Sequence, residues 1–444
     1  MAFQETIEYL FGLQKYGIKF GLANSALLLE HMGGPQRRFR SVHIAGTNGK
    51  GSTAAYLDSM LRAAGHRVGL YTSPHLVSFT ERIRIDGEPI TEQRVVELAE
   101  RVRRSYEGRP APDGQGVLSP TFFEVTTAMA FTCFAEEGVD IAVVEAGMGG
   151  RLDSTNVITP LVSVITNIDL EHTEFLGPTL AAIAGEKAGI IKEGVPVVTG
   201  TVQPEALAVI EAQASAKHAR LYRMPEDFGP ENLSPGVRPA FDYRGIFRST
   251  KGLRAGLLGR HQVMNAGLAL AATECLAAAG VPLPDDAVRS GLASARWPGR
   301  LEQVAERPDI YLDGAHNPAS AAVLAQALAE LKRATGRLHL VLGILRDKDY
   351  AGIIERLVPL ADHVVVTMPR YERAMDVRSL AGEVRSLCSS VTESEGLGEA
   401  IALARGVAAA DDLIVVTGSL YTVGDARAVL HEGLARGVLQ GLKG

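Results

Sequence analysis

The sequence predicts an α/β protein built on parallel sheets, and three observations carry that expectation. Short β-branched runs alternate with longer Ala/Leu-rich amphipathic segments almost from end to end, a rhythm that lays helices over both faces of a parallel sheet. The chain is 444 residues long, enough for two or three domains. Its 46% hydrophobic and 22% charged residues can fill sizeable cores and exclude disorder throughout. Strands are expected at 41–45, 68–71, 141–145, 162–166 and 196–199, and later at 309–312, 338–342, 363–367 and 413–417. Helical periodicity fills gaps between them, for example at 51–64, 121–136, 180–192 and 319–333.

Two stretches break the rhythm. Residues 228–253 carry several Gly and Pro and little helical period, and are expected to form a loop and hairpin excursion at one edge of the first domain. The segment Ala295-Arg-Trp-Pro-Gly-Arg300 has linker composition. It divides the chain into a domain of residues 1–296 and a smaller one of 297–444.

Lys+Arg 45 against Asp+Glu 51 gives a formal charge of -6, which argues against a nucleic-acid binder. Cys133, Cys275 and Cys388 are far apart and odd in number, so neither a disulfide framework nor a zinc ribbon is expected and a reducing compartment fits. The acidic N-terminus lacks a signal peptide's basic start, and no window approaches ~18 uninterrupted apolar residues. A cytoplasmic protein without membrane contact is expected, and nothing calls for more than a monomer.

In α/β folds ligands sit beyond the carboxyl ends of the strands, and the strongest signal lies there. The run Ser-Val-His-Ile-Ala45-Gly46-Thr47-Asn48-Gly49-Lys50-Gly51-Ser52-Thr53 takes a buried strand through a glycine turn into a helix. Such a turn aims backbone N–H groups and the positive helix end at an anion. Lys50 adds a point charge for outer phosphates, and a hydroxyl can hold Mg²⁺. The strict GxxxxGK[ST] pattern is not met: Ile44 stands at its first glycine and Gly51 follows the lysine.

The loop GTNGKGST resembles that of the Mur ligase superfamily. Its Gly-Ser ending is similar to the folylpolyglutamate and dihydrofolate synthase branch, where peptidoglycan ligases usually carry Thr-Thr. Further blocks follow in the order of that branch: Thr72-Ser73-Pro74-His75-Leu76, Phe79-Thr80-Glu81-Arg82-Ile83, Thr121-Phe122-Phe123-Glu124 and Glu145-Ala-Gly-Met-Gly-Gly-Arg151-Leu152-Asp153-Ser154. After them come Ile168-Asp169-Leu-Glu-His172, Gly185-Glu186-Lys187-Ala-Gly, His261-Gln262 with Asn265, Trp297-Pro-Gly-Arg300 and Asp313-Gly-Ala-His316-Asn317-Pro318. The resemblance covers nearly the whole chain. It implies a P-loop parallel-sheet ATPase domain with a folate site, followed by a smaller Rossmann-like α/β domain that ligates glutamate.

The activity so implied is an ATP-dependent addition of L-glutamate to folates, or to dihydropteroate, through an acyl phosphate. Two other readings compete with it. A peptidoglycan-type ligase would need an N-terminal domain for which residues before 46 leave no room, and a nucleotide switch would not need Asp313 and His316.

The resemblance also assigns residues. Gly46 to Thr53, Asn265, Arg300 and Asp313 would contact ATP; Ser73, Glu145 and His172 would hold Mg²⁺, with two ions expected beside the nucleotide. Lys187 is often N6-carboxylated in matching proteins, which would turn a cation into the anion a second Mg²⁺ needs. Lys50, Lys187 and His316 are the candidate catalytic residues. Thr121, Phe122, Phe123, Glu124, Leu152, Asp153 and Ser154 match stretches lining the pterin side.

Plainer roles stand beside these. Glu145 ends an apolar strand, where a carboxylate serves a hard cation or a cap. An isolated histidine such as His172 usually packs or faces solvent, and a lysine like Lys187 on an apolar helix usually snorkels. Arg300 equally suits a linker salt bridge, and Phe122 and Phe123 equally suit plain core. Asp313 to Pro318 reads as an Asx-type turn and cap, or as a helix end that receives glutamate's carboxylate, with Gly418 and Ser419 as candidates to join that pocket.

Overall fold

The computed structural model describes residues 2–17, 21–112, 114, 116–332 and 336–435. The chain divides into two compact units. The first comprises Met1–Leu233, Ala240–Gly256 and Val263–Ala295; the second comprises Ser234–Pro239, Leu257–Gln262 and Arg296–Gly444. Two short excursions of the chain thus pack with the second unit before the Pro/Gly segment is reached.

In the first unit the strands are β1 (Arg40–Ala45), β2 (Val68–Tyr71), β3 (Ile83–Ile85), β4 (Glu88–Pro89), β5 (Ile141–Glu145), β6 (Val162–Ile165), β7 (Val197–Thr199) and β8 (Leu221–Arg223). They form one sheet in the order β4-β3-β2-β5-β1-β6-β7-β8. It is parallel from β2 to β8, with β3 and β4 added antiparallel at one edge. The central strands β1, β5 and β6 are buried on both faces, which is why they read as continuous β-branched runs rather than alternating ones. One face carries a core around Tyr71, Phe131 and Phe134; another core gathers Ile165, Ile183 and Ile210.

The expected excursion at 228–253 is a small antiparallel sheet of β9 (Gly229–Glu231), β10 (Ala240–Arg244) and β11 (Thr250–Arg254), with a register shift between Phe241 and Tyr243. The second unit holds β12 (Glu302–Ala305), β13 (Asp309–Leu312), β14 (Leu338–Leu342), β15 (His363–Val366), β16 (Val391–Glu393) and β17 (Leu413–Thr417). Their order is β12-β13-β17-β14-β15-β16, parallel except for β12. The antiparallel edges β3, β4 and β12 were not foreseen. They are two to four residues long, too short to show a period.

Helix ends differ from expectation where local chemistry decides them. The first helix after β1 is Lys50–Ala63, and the expected helix at 180–192 is Leu180–Ala188, because the chain turns at Gly189. The helix expected at 319–333 is Pro318–Leu331, and residue 333 lies outside the described residues. Among the described residues no helix is long and apolar enough to cross a membrane.

Candidate active site

The site begins where β1 ends. Strand β5 pairs with β1 on one side, Ile44 opposite Glu145, and β6 pairs on the other, Ala45 opposite Ile165. Three strand ends therefore surround the loop 46–49. Gly46 and Gly49 have φ of 148° and 85°, backbone that suits glycine. Side chains close over both: Thr166 Oγ1 crowds Gly46, and the Asn265 amide lies against Gly49.

The residues after β6 fasten this loop. Thr47 N donates to Asn167 O (3.0 Å), Asn48 N to Asn167 Oδ1 (2.7 Å), and Thr166 Oγ1 to Asn48 O (2.7 Å). Thr47 Oγ1 accepts from Asp169 N (3.0 Å) and donates to Asp169 O (3.2 Å). The amides of Thr47 and Asn48 thus hold the loop's shape. The helix Lys50–Ala63 that follows has Gly49 as its N-cap and no side-chain cap, so its first-turn amides and positive dipole end suit an anion.

Two ammonium groups converge on a single carbonyl. Lys50 Nζ donates to Gly46 O (2.9 Å) and Thr47 O (3.1 Å), and Lys187 Nζ donates to Gly46 O (2.8 Å). Lys187 is 2% exposed; it does not snorkel. Burial, reinforced by the Lys50 charge, lowers its pKa to about 7. Packing two like charges without water costs stability unless anions join them.

Beside the loop, the buried Glu145 carboxylate accepts from Ser73 N (3.1 Å). His172, the third residue of the expected metal set, precedes the helix Thr173–Leu176 in left-handed backbone, φ 51°. Its Nε2 lies 4.0 Å from Glu171.

On the pterin side the expected residues separate. Thr121 and Glu124 form a capping box for the helix Phe122–Glu137, with Thr121 N donating to Glu124 Oε2 (2.6 Å). Phe123 packs on Gly147 and near Tyr71, ring centroids 6.0 Å apart. Phe122 instead stacks on Phe11. Asp153 is buried, and its carboxylate accepts from Gly147 N (2.9 Å), Met148 N (3.0 Å), Thr155 N (3.0 Å) and Thr155 Oγ1 (2.5 Å). Those bonds brace the loop after β5. Leu152 and Ser154 flank it in that loop.

In the second unit, Asp313 is half-buried just beyond β13. Its Oδ2 accepts from Leu301 N (2.9 Å) and its Oδ1 from Ala315 N (3.0 Å). Burial raises its pKa although Arg300 pulls it down. His316 Nδ1 pairs with Gly314 O (2.8 Å). The helix Pro318–Leu331 is capped from within: Asn317 Oδ1 accepts from Ser320 N (2.8 Å), while Ser320 Oγ accepts from His316 N and Asn317 N (both 3.1 Å). Proline at the first position has no N–H. Of the two readings of this turn, these hydrogen bonds are those of a cap.

Comparison with known proteins decides the family. Residues 118–273 match the Mur ligase middle domain, and residues 299–420 match the Mur ligase, glutamate ligase domain. A dihydrofolate synthase/folylpolyglutamate synthase of Bacillus subtilis (strain 168) is 39% identical over 434 residues, 96% of this chain and 98% of that protein. The folylpolyglutamate synthase of Lacticaseibacillus casei is 37% identical over 98% of this chain and 100% of its own length. The chain belongs to the Mur ligase family, in its folylpolyglutamate and dihydrofolate synthase branch. A Mycobacterium tuberculosis folylpolyglutamate synthase complexed with ADP and AMPPCP has a TM-score of 0.88 at 37% identity, covering 96% of this chain and 99% of that one. An Escherichia coli structure of the branch, in complex with DHPP and ADP, gives 0.85 at 32% identity, covering 96% and 98%.

Membership raises the question of magnesium. Among the described residues no three His, Cys, Asp or Glu side chains gather as a metal-binding group. A hard cation here would rely on Glu145 with hydroxyl and substrate oxygens, the ligand type Mg²⁺ takes. Thr53 Oγ1, fully buried in the first helical turn, has no hydrogen-bond partner among the described residues, as expected where oxygen ligands await a partner. The two ammonium groups oppose a cation, and carboxylation of Lys187 would reverse one of them. With that change the residues fit the ion.

Sequence reasoning passed over Thr166 and Asn167, which clasp the phosphate loop. Their signal was present: two polar residues directly after a buried β-branched strand.

Proposed function

We propose that this ATP-dependent ligase joins L-glutamate to folates and to dihydropteroate. The observation that carries the proposal is the Lys50 ammonium group on Gly46 O beside a helix end with no side-chain cap, a seat for the phosphates of ATP. Lys50 and the first-turn amides of Lys50–Ala63 would bind and orient those phosphates, drawing charge from the transferring group. Asn265, pressed against Gly49, would position the nucleotide; family likeness assigns Arg300 and Asp313 to it as well.

The acceptor carboxylate would attack the γ-phosphoryl group, releasing ADP and leaving an acyl phosphate. Glutamate's amine would then attack the acyl carbon and phosphate would depart. Ser73, Glu145, His172 and a carboxylated Lys187 would hold Mg²⁺, which when bound supplies neutralisation of phosphate charge. The lowered pKa of Lys187, about 7, supports its carboxylation, because only the neutral amine reacts with CO₂. His316, in the second unit, is assigned to the step in which the amine attacks. A monomer in the cytoplasm suffices for all of this.

The test is direct. Purified protein with MgATP, L-glutamate and either dihydropteroate or tetrahydrofolate is expected to release ADP only when glutamate and an acceptor are both present, with one glutamyl unit added by mass. ADP release indifferent to the folate, or an amino acid added to a peptidoglycan precursor instead, would overturn the proposal.

A further inference from the structure

Of two sequence blocks, residues 72–76 and 79–83, only Ser73 has a role above, yet the chain folds them tightly together. The Glu81 carboxylate accepts from Leu76 N (2.9 Å), Val77 N (3.1 Å) and Ser78 N (2.9 Å). This clamp closes the turn between them. Thr72 N donates to Arg82 O (3.1 Å), and Arg82 is brought back onto His75, its Nε donating to His75 Nδ1 at 2.8 Å.

Arg82 is only 7% exposed, and its guanidinium packs among aromatic rings. It lies 5.1 Å from the Phe122 ring centroid and 5.8 Å from that of Phe79, within cation–π range of both. Phe122 stacks on Phe11, 5.5 Å apart and 10° from parallel, and Phe11 is 38% exposed. The His75 ring meets Phe11 at 6.3 Å and Phe79 edge-on at 6.1 Å. His75 thus stands at the rim of an aromatic floor, two residues from Ser73, whose amide touches Glu145.

An arginine can only donate, so His75 Nδ1 must accept. A neutral imidazole then carries its proton on Nε2. The outcome is a single N–H donor of settled direction beside flat apolar faces. That pairing suits a ring bearing an acceptor oxygen. A benzoyl group has both parts: in dihydropteroate the oxygen belongs to a carboxylate, in folates to an amide.

Resting on the folate-ligase assignment above, we propose that His75 donates from Nε2 to the benzoyl oxygen of the acceptor while Phe11 and Phe122 bear its ring. Arg82 is a positioning residue that holds the His75 tautomer. The test is steady-state kinetics with tetrahydrofolate and with dihydropteroate in separate arms. His75→Ala is expected to raise the acceptor KM about 10-fold, leaving the KM values for ATP and glutamate within about 2-fold of wild type, because only the acceptor loses a bond. An effect in one arm alone supports the contact and names its oxygen.

Arg82→Met keeps an apolar stem without the donor. It should raise the same KM, and ¹⁵N spectra should turn the single Nε2–H tautomer of His75 into a mixture. Should His75→Ala fail to fold, His75→Gln against His75→Met compares a donor with none at similar length, and only Met should raise the acceptor KM. Unchanged acceptor KM values in folded variants, or an unaltered tautomer in Arg82→Met, would overturn the proposal. All three KM values rising together would also overturn it, as the mark of a merely structural pair. Wild-type protein that turns over neither acceptor would sink the ligase assignment itself, a distinct result.

Discussion

The junctions after β1 and after β13 share one plan, a buried parallel strand followed by a glycine-bearing turn and a helix, yet they treat charge in opposite ways. After β1 the helix has a bare glycine N-cap and two lysines crowd the turn. After β13 a half-buried carboxylate, Asp313, ties the turn to Leu301 and Ala315, and Asn317 and Ser320 cap the helix. The same secondary structure therefore offers an anion seat in one unit and a closed, self-satisfied corner in the other. Cap chemistry and cation placement separate them, not the strand–turn–helix pattern.

Lys50→Ala attacks this contrast hardest. The side chain contributes charge rather than packing, so ligation should fall at least about 100-fold while the thermal midpoint stays near wild type. Normal turnover by that variant would erase the distinction between the two corners.

Lys187→Met gives a smaller, pH-dependent effect. With its folded pKa near 7 and an unfolded value of about 10.4, Lys187 binds a proton in the unfolded chain that the native state lacks throughout that interval. Its penalty is full below the folded value and fades as pH rises, so native stability should climb across the interval. In bicarbonate-free buffer the urea midpoint of wild type should rise with pH more steeply than that of Lys187→Met. Parallel curves would mean that the ammonium is not buried against Gly46.

Asn317→Ala is the mildest change. Loss of the cap should cost about 1 kcal/mol, seen as a modest drop in thermal midpoint, with nucleotide binding at the β1 loop untouched. No drop would show that the second helix end is less closed than its hydrogen bonds indicate.

Much of this was legible from residue order. The parallel strands stand out because burial on both faces demands unbroken β-branched runs, as in Ile141–Glu145 and Leu413–Thr417. The phosphate loop stands out because its glycines and lysine are contiguous. The short edge strands carried no periodic signal, and the backbone amides that Asp153 braces were not legible, because a carboxylate beside a candidate ligand stretch looks the same with or without them.

What residue order settled is what depends on neighbours in the chain: strands, helices, the glycine turn, and the place of Lys50 one step beyond it. Tertiary structure alone brought Lys187 from 137 positions after Lys50 onto the same carbonyl, and set Asn167 under Asn48. Burial then changed what those groups are chemically, since a lysine in water and a lysine packed against a second cation differ in their hold on a proton. Desolvation and like-charge proximity are properties of positions in space, and no local pattern encodes them.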